Sequence, residues 1–286
     1  MNRWITGARP RTLPAAIVPV AVGASAAVGE PTDVVWWRVA AALVVSLMLQ
    51  VGVNYANDYS DGVRGTDDVR VGPVRLVASG LASPASVRRA AMLSFGVAAV
   101  AGLAIALSTS LVLLLVGAAA IAAGWFYTGG PKPYGYLGLG EVFVFVFFGL
   151  VATAGTTYAA IESVTALSLV MGCAVGSLAC ALLVINNLRD IPTDREVGKK
   201  TLAVRLGDQR TRWFYVALIG SAFVLSGVGA VWRTPVLLGL AAIPLAVRPI
   251  RLVLGGAAGG ALIPVLGETG RLQLAWGVLV TIGLAA

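Results

Sequence analysis

The stretch Trp36–Asp61, WWRVAAALVVSLMLQVGVNYANDYSD, decides how the rest of the chain is read. It begins as an apolar run that predicts a membrane span over residues 36–57, since about 20 such residues cross the hydrocarbon of a bilayer. It ends in Asn54, Asn57, Asp58 and Asp61, which recur at i, i+3, i+4 and i+7 and so share one face of a helix. A second run over 164–187 ends the same way, in Asn186, Asn187, Asp190 and Asp194, with Asn187, Asp190 and Asp194 again on one face. Ionisable groups at membrane depth are costly and normally face a wet cavity where they do chemistry or transport.

Working outward, further apolar runs lie near 12–29, 87–107, 110–128, 138–160, 212–231, 235–254 and 269–285. The expected fold is therefore all-α: a polytopic membrane bundle of about nine helices around a central cavity, one domain over residues 1–286. The composition agrees, with 58% hydrophobic and 12% charged residues against about 25% charged in soluble domains. The segment 255–268 reads as a loop or part of a broken helix. The ten residues before Arg11 lack a signal-peptide layout and read as a short polar lead into the first span.

A net charge of +8 would suggest nucleic acid as a partner in a soluble protein, but here it has a topological cause. With nine spans, only Arg38 and Arg233 of the 21 Lys and Arg fall on the far side. The positive-inside rule then puts the N-terminus and both acidic clusters in the cytoplasm. Glu30, Asp33, Glu162, Arg38 and Arg233 are expected to be solvated on the far side. No histidine is present, which removes His-based acid–base chemistry and His metal sites. Cys173 and Cys180 lie in an apolar segment and read as packing residues.

Asp58 and Asp61 on one helix end, with Asp190 and Asp194 on another, suit one or two hard divalent cations such as Mg²⁺, which binds carboxylates together with phosphate oxygens. Basic residues follow each cluster: Arg64, Arg70 and Arg75 after the first, and Arg195, Lys199, Lys200 and Arg205 after the second. Carboxylates, metal and basic side chains together make a cradle for a diphosphate, and the apolar bundle behind suits its lipid tail. Lys132, between two prolines, reads as a partner for a diphosphate or an acceptor carboxylate. Glu141 is too deep for casual solvation and leans towards function. Phe143, Phe145, Phe147 and Phe148 read as ordinary lipid-facing residues.

The paired motifs, Asn57-Asp58-Tyr-Ser-Asp61 and Asp190-Ile-Pro-Thr-Asp194, resemble those of the intramembrane UbiA-type aromatic prenyltransferases. Ala8-Arg-Pro-Arg-Thr-Leu-Pro14, Gly65-Thr-Asp67, Tyr127-Thr-Gly-Gly-Pro-Lys-Pro133 and Gly138-Leu-Gly-Glu141 resemble one branch, the enzymes that prenylate 1,4-dihydroxy-2-naphthoate in menaquinone synthesis. The resemblance implies Mg²⁺, with Mn²⁺ as a substitute, held by Asn57, Asp61, Asp190 and Asp194 with Asp58 nearby. A polyprenyl diphosphate would ionise there and the naphthoate ring would attack, with loss of CO₂. Catalytic roles fall to Asp58, Asp61, Asp190, Asp194 and Lys132. Substrate contacts fall to Arg9, Arg11, Asn54, Asp67, Tyr127, Lys132, Asn186, Asn187, Arg195 and Lys199. A bacterial cytoplasmic membrane is the implied location.

Two positions depart from the wider family: Gly65 stands where a further Asp is common, and Tyr127 and Lys132 are five apart rather than four. Other acceptors (4-hydroxybenzoate, homogentisate or haem) stay open, as do a cation transporter and a CDP-alcohol phosphotransferase. The last fits poorly, because its acidic residues form one continuous motif.

Overall fold

A computed structural model describes residues 2–65 and 74–286. Asp67, Asp68 and Arg70 lie outside the described residues. Those described are helical or irregular, with no strand among them. The long elements are α1 (Pro14–Ala27), α2 (Trp36–Arg64), α3 (Pro84–Ser108), α4 (Val112–Phe126), α5 (Gly140–Ile161), α6 (Ala166–Glu196), α7 (Asp208–Gly229), α8 (Thr234–Leu254) and α9 (Leu262–Ala285). Each expected apolar run falls on one of them. Six of them, α2, α3 and α5 to α8, are long and apolar enough to cross a membrane, and α1 and α4 are shorter apolar helices. Many of their large apolar side chains, among them Leu93, Val100, Leu107, Leu115 and Val224, point outward. An apolar exterior on this scale belongs in lipid, so the chain is an integral membrane protein.

Helix boundaries follow local chemistry. Ser83 caps α3 by accepting from the Ser86 amide, with Pro84 at the first helical position. Thr165 and Ser168 form a reciprocal capping box at the start of α6. Gly65 closes α2 at φ 70°, a conformation that suits glycine. Two helices run further than hydropathy suggested: α2 continues past 57 to Arg64, and α6 past 187 to Glu196. The polar residues that seemed to end these spans are the inner faces of their last turns. Conversely, α9 starts at Leu262 rather than 269, because Glu268 and Arg271 interrupt its apolar run without breaking the helix.

Helix α6 is the axis of the bundle. Its most apolar stretch is 72% buried, against 33% for each of the other five spans. It meets α5 by close backbone approach: a methyl on Gly149 would sit 2.5 Å from Gly176 Cα. Small residues at such crossings are how membrane helices pack without a hydrophobic driving force. Here α5 widens into a π-helical turn over Phe145–Val151, a feature common beside functional sites.

Two apolar clusters hold the molecule. One joins α1 with α6 to α9 through Val18, Leu178, Ile219, Val236 and Trp276. The other joins α2 and α3 with the segment after Val74 through Tyr55, Leu76, Val87 and Phe95. A cavity lined by residues of both halves lies between them.

The far-side arginines correct an expectation. Arg38 is largely buried, pairs with Glu162 at 2.7 Å and donates to the Ser108 carbonyl at 2.6 Å. Arg233 donates to the carbonyls of Leu284 and Ser25 and reaches Glu30. Both side chains satisfy carbonyls left over at helix C-termini, so they clamp helix ends instead of standing in solvent.

Candidate active site

The cavity has a volume of about 990 Å³ and two chemically distinct ends. Asn57 and Asp61 of α2 and Asn186, Asn187, Asp190 and Asp194 of α6 line one end, with Arg9, Arg11 and Lys199 from the flanking segments. The remainder is mostly apolar and reaches Ala42 on α2, Ile105 on α3 and Ala159 on α5. From Asp61 to Ala42 that is about 28 Å at the rise of an α-helix, close to the thickness of membrane hydrocarbon.

The four polar residues on the α2 face divide the work. Asn54 donates to the Ala8 carbonyl at 2.9 Å and to Thr12 Oγ1 at 3.0 Å, and Gln50 also donates to Thr12 at 3.0 Å. These bonds hold the N-terminal segment over the cavity and thereby place Arg9 and Arg11 in its lining. Arg9 takes the left-handed conformation, φ 52°, a strain that the surrounding contacts must support. Asn57 accepts from Thr128 at 2.8 Å. Asp61 accepts from the Tyr136 hydroxyl at 2.5 Å and from Lys199 Nζ at 3.4 Å.

Asp58 behaves differently. It is fully buried, and its two oxygens accept the amides of Leu76 and Val77 at 2.8 and 3.0 Å. It does not line the cavity. Its carboxylate fixes the segment that carries Arg75, itself a lining residue.

On α6, Arg189 grips Asp190 through two parallel bonds of 2.6 and 2.7 Å, the fork geometry that suits carboxylates. Asp194 stands one turn further along, buried and in the lining. Lys199, whose amide bonds the Asp194 carbonyl at 2.8 Å, lays its ammonium 4.5 Å from the Tyr136 ring centre. Burial works against this charge, but Asp61, Tyr136 and Asp194 outweigh it and hold its pKa above the ordinary lysine value. Arg64 donates to the carbonyls of Thr128 and Gly130 and lies over the same ring.

The α4–α5 connection supplies the aromatic wall. Tyr134 and Phe143 stack at 4.0 Å between ring centres, and Phe147 continues the stack at 6.1 Å. Phe143, Phe147 and Phe148 line the cavity, whereas lipid-facing positions were expected; Phe145 packs against Gly176. Phe147 and Phe148 lie within the π-helical turn, whose wider winding departs from the α-helical register, while Phe143 precedes it.

Of the sequence candidates, Arg9, Arg11, Asn54, Asn57, Asp61, Tyr127, Asn186, Asn187, Asp190, Asp194 and Lys199 meet at this cavity. Lys132 and Arg195 are exposed and outside the lining. Arg189, Thr128 and Tyr136 are lining residues that sequence reasoning did not single out, and Arg75, read among the basic residues of the cradle, lines the cavity too. Arg189 had a signal, since it directly precedes the acidic motif it serves.

Among the described residues no three of Asp, Glu, Cys and His come together closely enough to hold a metal ion alone. The donors around the cavity mouth are all oxygen, from carboxylates and amides. That set fits Mg²⁺, which commonly takes one or two carboxylates and completes its shell with substrate phosphates and water.

A helical membrane bundle with this cavity and this oxygen-rich mouth defines a class, and the comparisons agree on it. The UbiA prenyltransferase family model matches residues 16–255, and the chain belongs to that family. It is 53% identical to the 1,4-dihydroxy-2-naphthoate octaprenyltransferase of Mycobacterium tuberculosis, covering 99% of this chain and 97% of the relative. It is 34% identical to the protein of that description in Escherichia coli, covering 98% and 94%. The fold is similar to that of a UbiA homologue from Aeropyrum pernix K1, TM-score 0.71 at 16% identity, covering 94% of this chain and 96% of that one. A homologue from Archaeoglobus fulgidus bound to DMAPP and Mg²⁺ superposes at TM-score 0.64 and 15% identity, covering 98% and 100%.

Proposed function

We propose that the protein transfers a long polyprenyl group from its diphosphate to 1,4-dihydroxy-2-naphthoate, releasing diphosphate and CO₂ and giving demethylmenaquinol. The observation that carries this reading is the polarity of one cavity. Its mouth gathers acidic oxygens with basic side chains, and its depth is apolar and about as long as a membrane is thick. A diphosphate with a hydrocarbon tail satisfies both ends. Naphthoate as acceptor is supported by the relatives that share more than half of this sequence.

In this reading Asn57 and Asp61 on α2 and Asp190 and Asp194 on α6 hold Mg²⁺, or Mn²⁺ in its place. Bound there, the metal would supply the positive charge that stabilises a departing diphosphate. Arg9, Arg11, Arg75 and Lys199 neutralise the remaining phosphate oxygens. On binding, Asp61 and Asp190 would turn from Lys199 and Arg189 to the metal, and those two cations would pair with the phosphate charge instead, so that no charge is left unpaired. Lys132 of the α4–α5 connection and Arg195 in the last turn of α6 are assigned to the arriving diphosphate, and Asp67 to its metal. The Tyr134–Phe143–Phe147 wall faces the allylic cation with its rings, an interaction of about 0.5–2 kcal/mol per favourable contact. Tyr127, Asn54, Asn186 and Asn187 border the acceptor. We assign the whole chain to one domain in a bacterial cytoplasmic membrane, with the N-terminus and the cavity mouth on the cytoplasmic side, as the basic residues indicate.

The test is product formation in nanodiscs with Mg²⁺, a polyprenyl diphosphate and either 1,4-dihydroxy-2-naphthoate or 4-hydroxybenzoate, followed by mass spectrometry. A decarboxylated prenyl naphthoquinol is the expected product. Turnover of the benzoate alone would keep the family and overturn the acceptor.

A further inference from the structure

Glu141 is the one acid of the α5 start, and it is 4% exposed. Oε1 accepts from Asn187 Nδ2 at 2.9 Å, while Oε2 is buried with no hydrogen-bond partner among the described residues. A carboxyl group at membrane depth with one amide partner and a spare oxygen is expensive for a packing residue. Leucine would fill the same space at lower cost. The surroundings fix this group firmly: Cys180 donates its thiol to the Glu141 carbonyl at 3.1 Å, so the start of α5 is tied to α6 at both Cys180 and Asn187. Gly140 lets Tyr127 approach the start of α5 closely, since a methyl there would lie 3.2 Å from Tyr127 Cε2 and 3.5 Å from its hydroxyl. Glu141 itself stands behind the cavity wall; Asn187 and Tyr127 are in it.

An amide has two donor hydrogens and one acceptor oxygen. With Nδ2 committed to Glu141, the orientation of the Asn187 side chain is set and its Oδ1 remains as an acceptor. Asn187 lies one helical turn from Asp190 and two from Asp194 on the same face of α6, on the apolar side of the acidic pair. A group bound beside it therefore lies next to the diphosphate site but deeper. The group that such an acceptor recognises is a hydroxyl donor; it repels carboxylate and phosphate oxygens.

Resting on the proposed function, we infer that Glu141 is a positioning residue for the aromatic acceptor: it locks Asn187 so that the Asn187 carbonyl, with Tyr127 alongside, receives a ring hydroxyl of that acceptor. Sites built to bond a substrate hydroxyl discriminate strongly against analogues that lack it. The Glu141–Asn187 pair thus sets acceptor selectivity, while the acidic pair on α6 serves the diphosphate.

The experiment measures KM for acceptor and donor separately in nanodisc-embedded wild type, Glu141→Gln and Glu141→Leu, with Mg²⁺ and a polyprenyl diphosphate, alongside the thermal midpoint. Gln keeps an oxygen for Asn187, so its acceptor KM stays within about threefold of wild type. Leu frees the amide, and the acceptor KM rises about tenfold, the effect of losing one hydrogen bond to substrate, while the donor KM holds. Discrimination against the O-methylated acceptor falls in the Leu variant only. An unchanged acceptor KM in Glu141→Leu overturns the inference, as does a parallel rise in donor KM or a Gln variant as impaired as the Leu one. Should Glu141→Leu fail to fold, Asn187→Leu carries the same expectation and the same refutation. Wild-type protein that prenylates a different hydroxyarene fails the proposed function instead, and the comparison is then made on that acceptor.

Discussion

Tyr136 and Asp61, 75 residues apart in sequence, meet through a hydrogen bond of 2.5 Å in which the phenol donates to the carboxylate. The contact joins the α4–α5 connection to the last turn of α2 and holds one oxygen of a proposed metal ligand. Partners that orient metal ligands typically account for 10–100-fold in metal affinity or activity. Tyr136→Phe should therefore raise the Mg²⁺ concentration for half-maximal activity by about 10-fold, in a titration at saturating substrates. An unchanged titration curve would remove Tyr136 from the site's support.

Asp58 is expected to matter for stability more than for metal. Its carboxylate holds two backbone amides in a fully buried place, and hydrogen bonds to a charged group contribute about 1.5–3 kcal/mol each. Asp58→Ala should lower the thermal midpoint clearly, while folded protein keeps the Mg²⁺ half-saturation of wild type. A changed metal dependence at unchanged stability would return Asp58 to the ligand set.

Much of this was legible in the sequence. The apolar runs located the helices, and the i, i+3, i+4, i+7 pattern on α2 and the i, i+3, i+7 pattern on α6 marked the faces that turn to the cavity. Hydropathy ended those helices too early because a polar face turned to a cavity resembles a loop when only composition is read. The pattern also could not separate Asp58 from Asp61. Both lie on the polar face, but the partners of Asp58 are the amides of Leu76 and Val77, which only tertiary structure brings near. The inward Phe147 lies in a π-helical turn that no local residue preference announces. Arg38 and Arg233 were read as solvated because their partners, the ends of other helices, are remote in sequence.

Lys199 gives a pH prediction. Its folded pKa is raised, so its ion pair with Asp61 is fully present below the ordinary lysine value and is lost only as pH rises through the higher folded value. Between pH 7 and pH 9, about one unit or more below the ordinary lysine pKa of 10.4, the donor KM should stay flat with respect to this group. Lys199→Met should raise the donor KM about tenfold at every pH in that window, as loss of one charge-assisted contact implies, and leave the acceptor KM alone. A wild-type donor KM that climbs steeply in that window would contradict the assignment.

The apolar depth of the cavity predicts donor selectivity. With about 28 Å of lining beyond the acidic mouth, a long-chain diphosphate buries far more hydrocarbon than dimethylallyl diphosphate, at about 0.8 kcal/mol per CH₂. kcat/KM should rise with chain length in a donor series. Filling the lining with Gly155→Phe should depress the long donors more than the short one, and an equal loss across the series would contradict this path for the tail.

The central claim is that α2 and α6 together hold a diphosphate through Mg²⁺. Equilibrium binding of a non-ionising polyprenyl thiodiphosphate to nanodisc-embedded protein tests it most directly, with Mg²⁺ or EDTA, in wild type, Asp61→Asn, Asp194→Asn and the double variant. Tight binding only with Mg²⁺ is expected in wild type. Each single variant should lose most of it, and the double variant should lose little more, because one shared site fails once. Binding that survives EDTA, or losses that simply add, would contradict it.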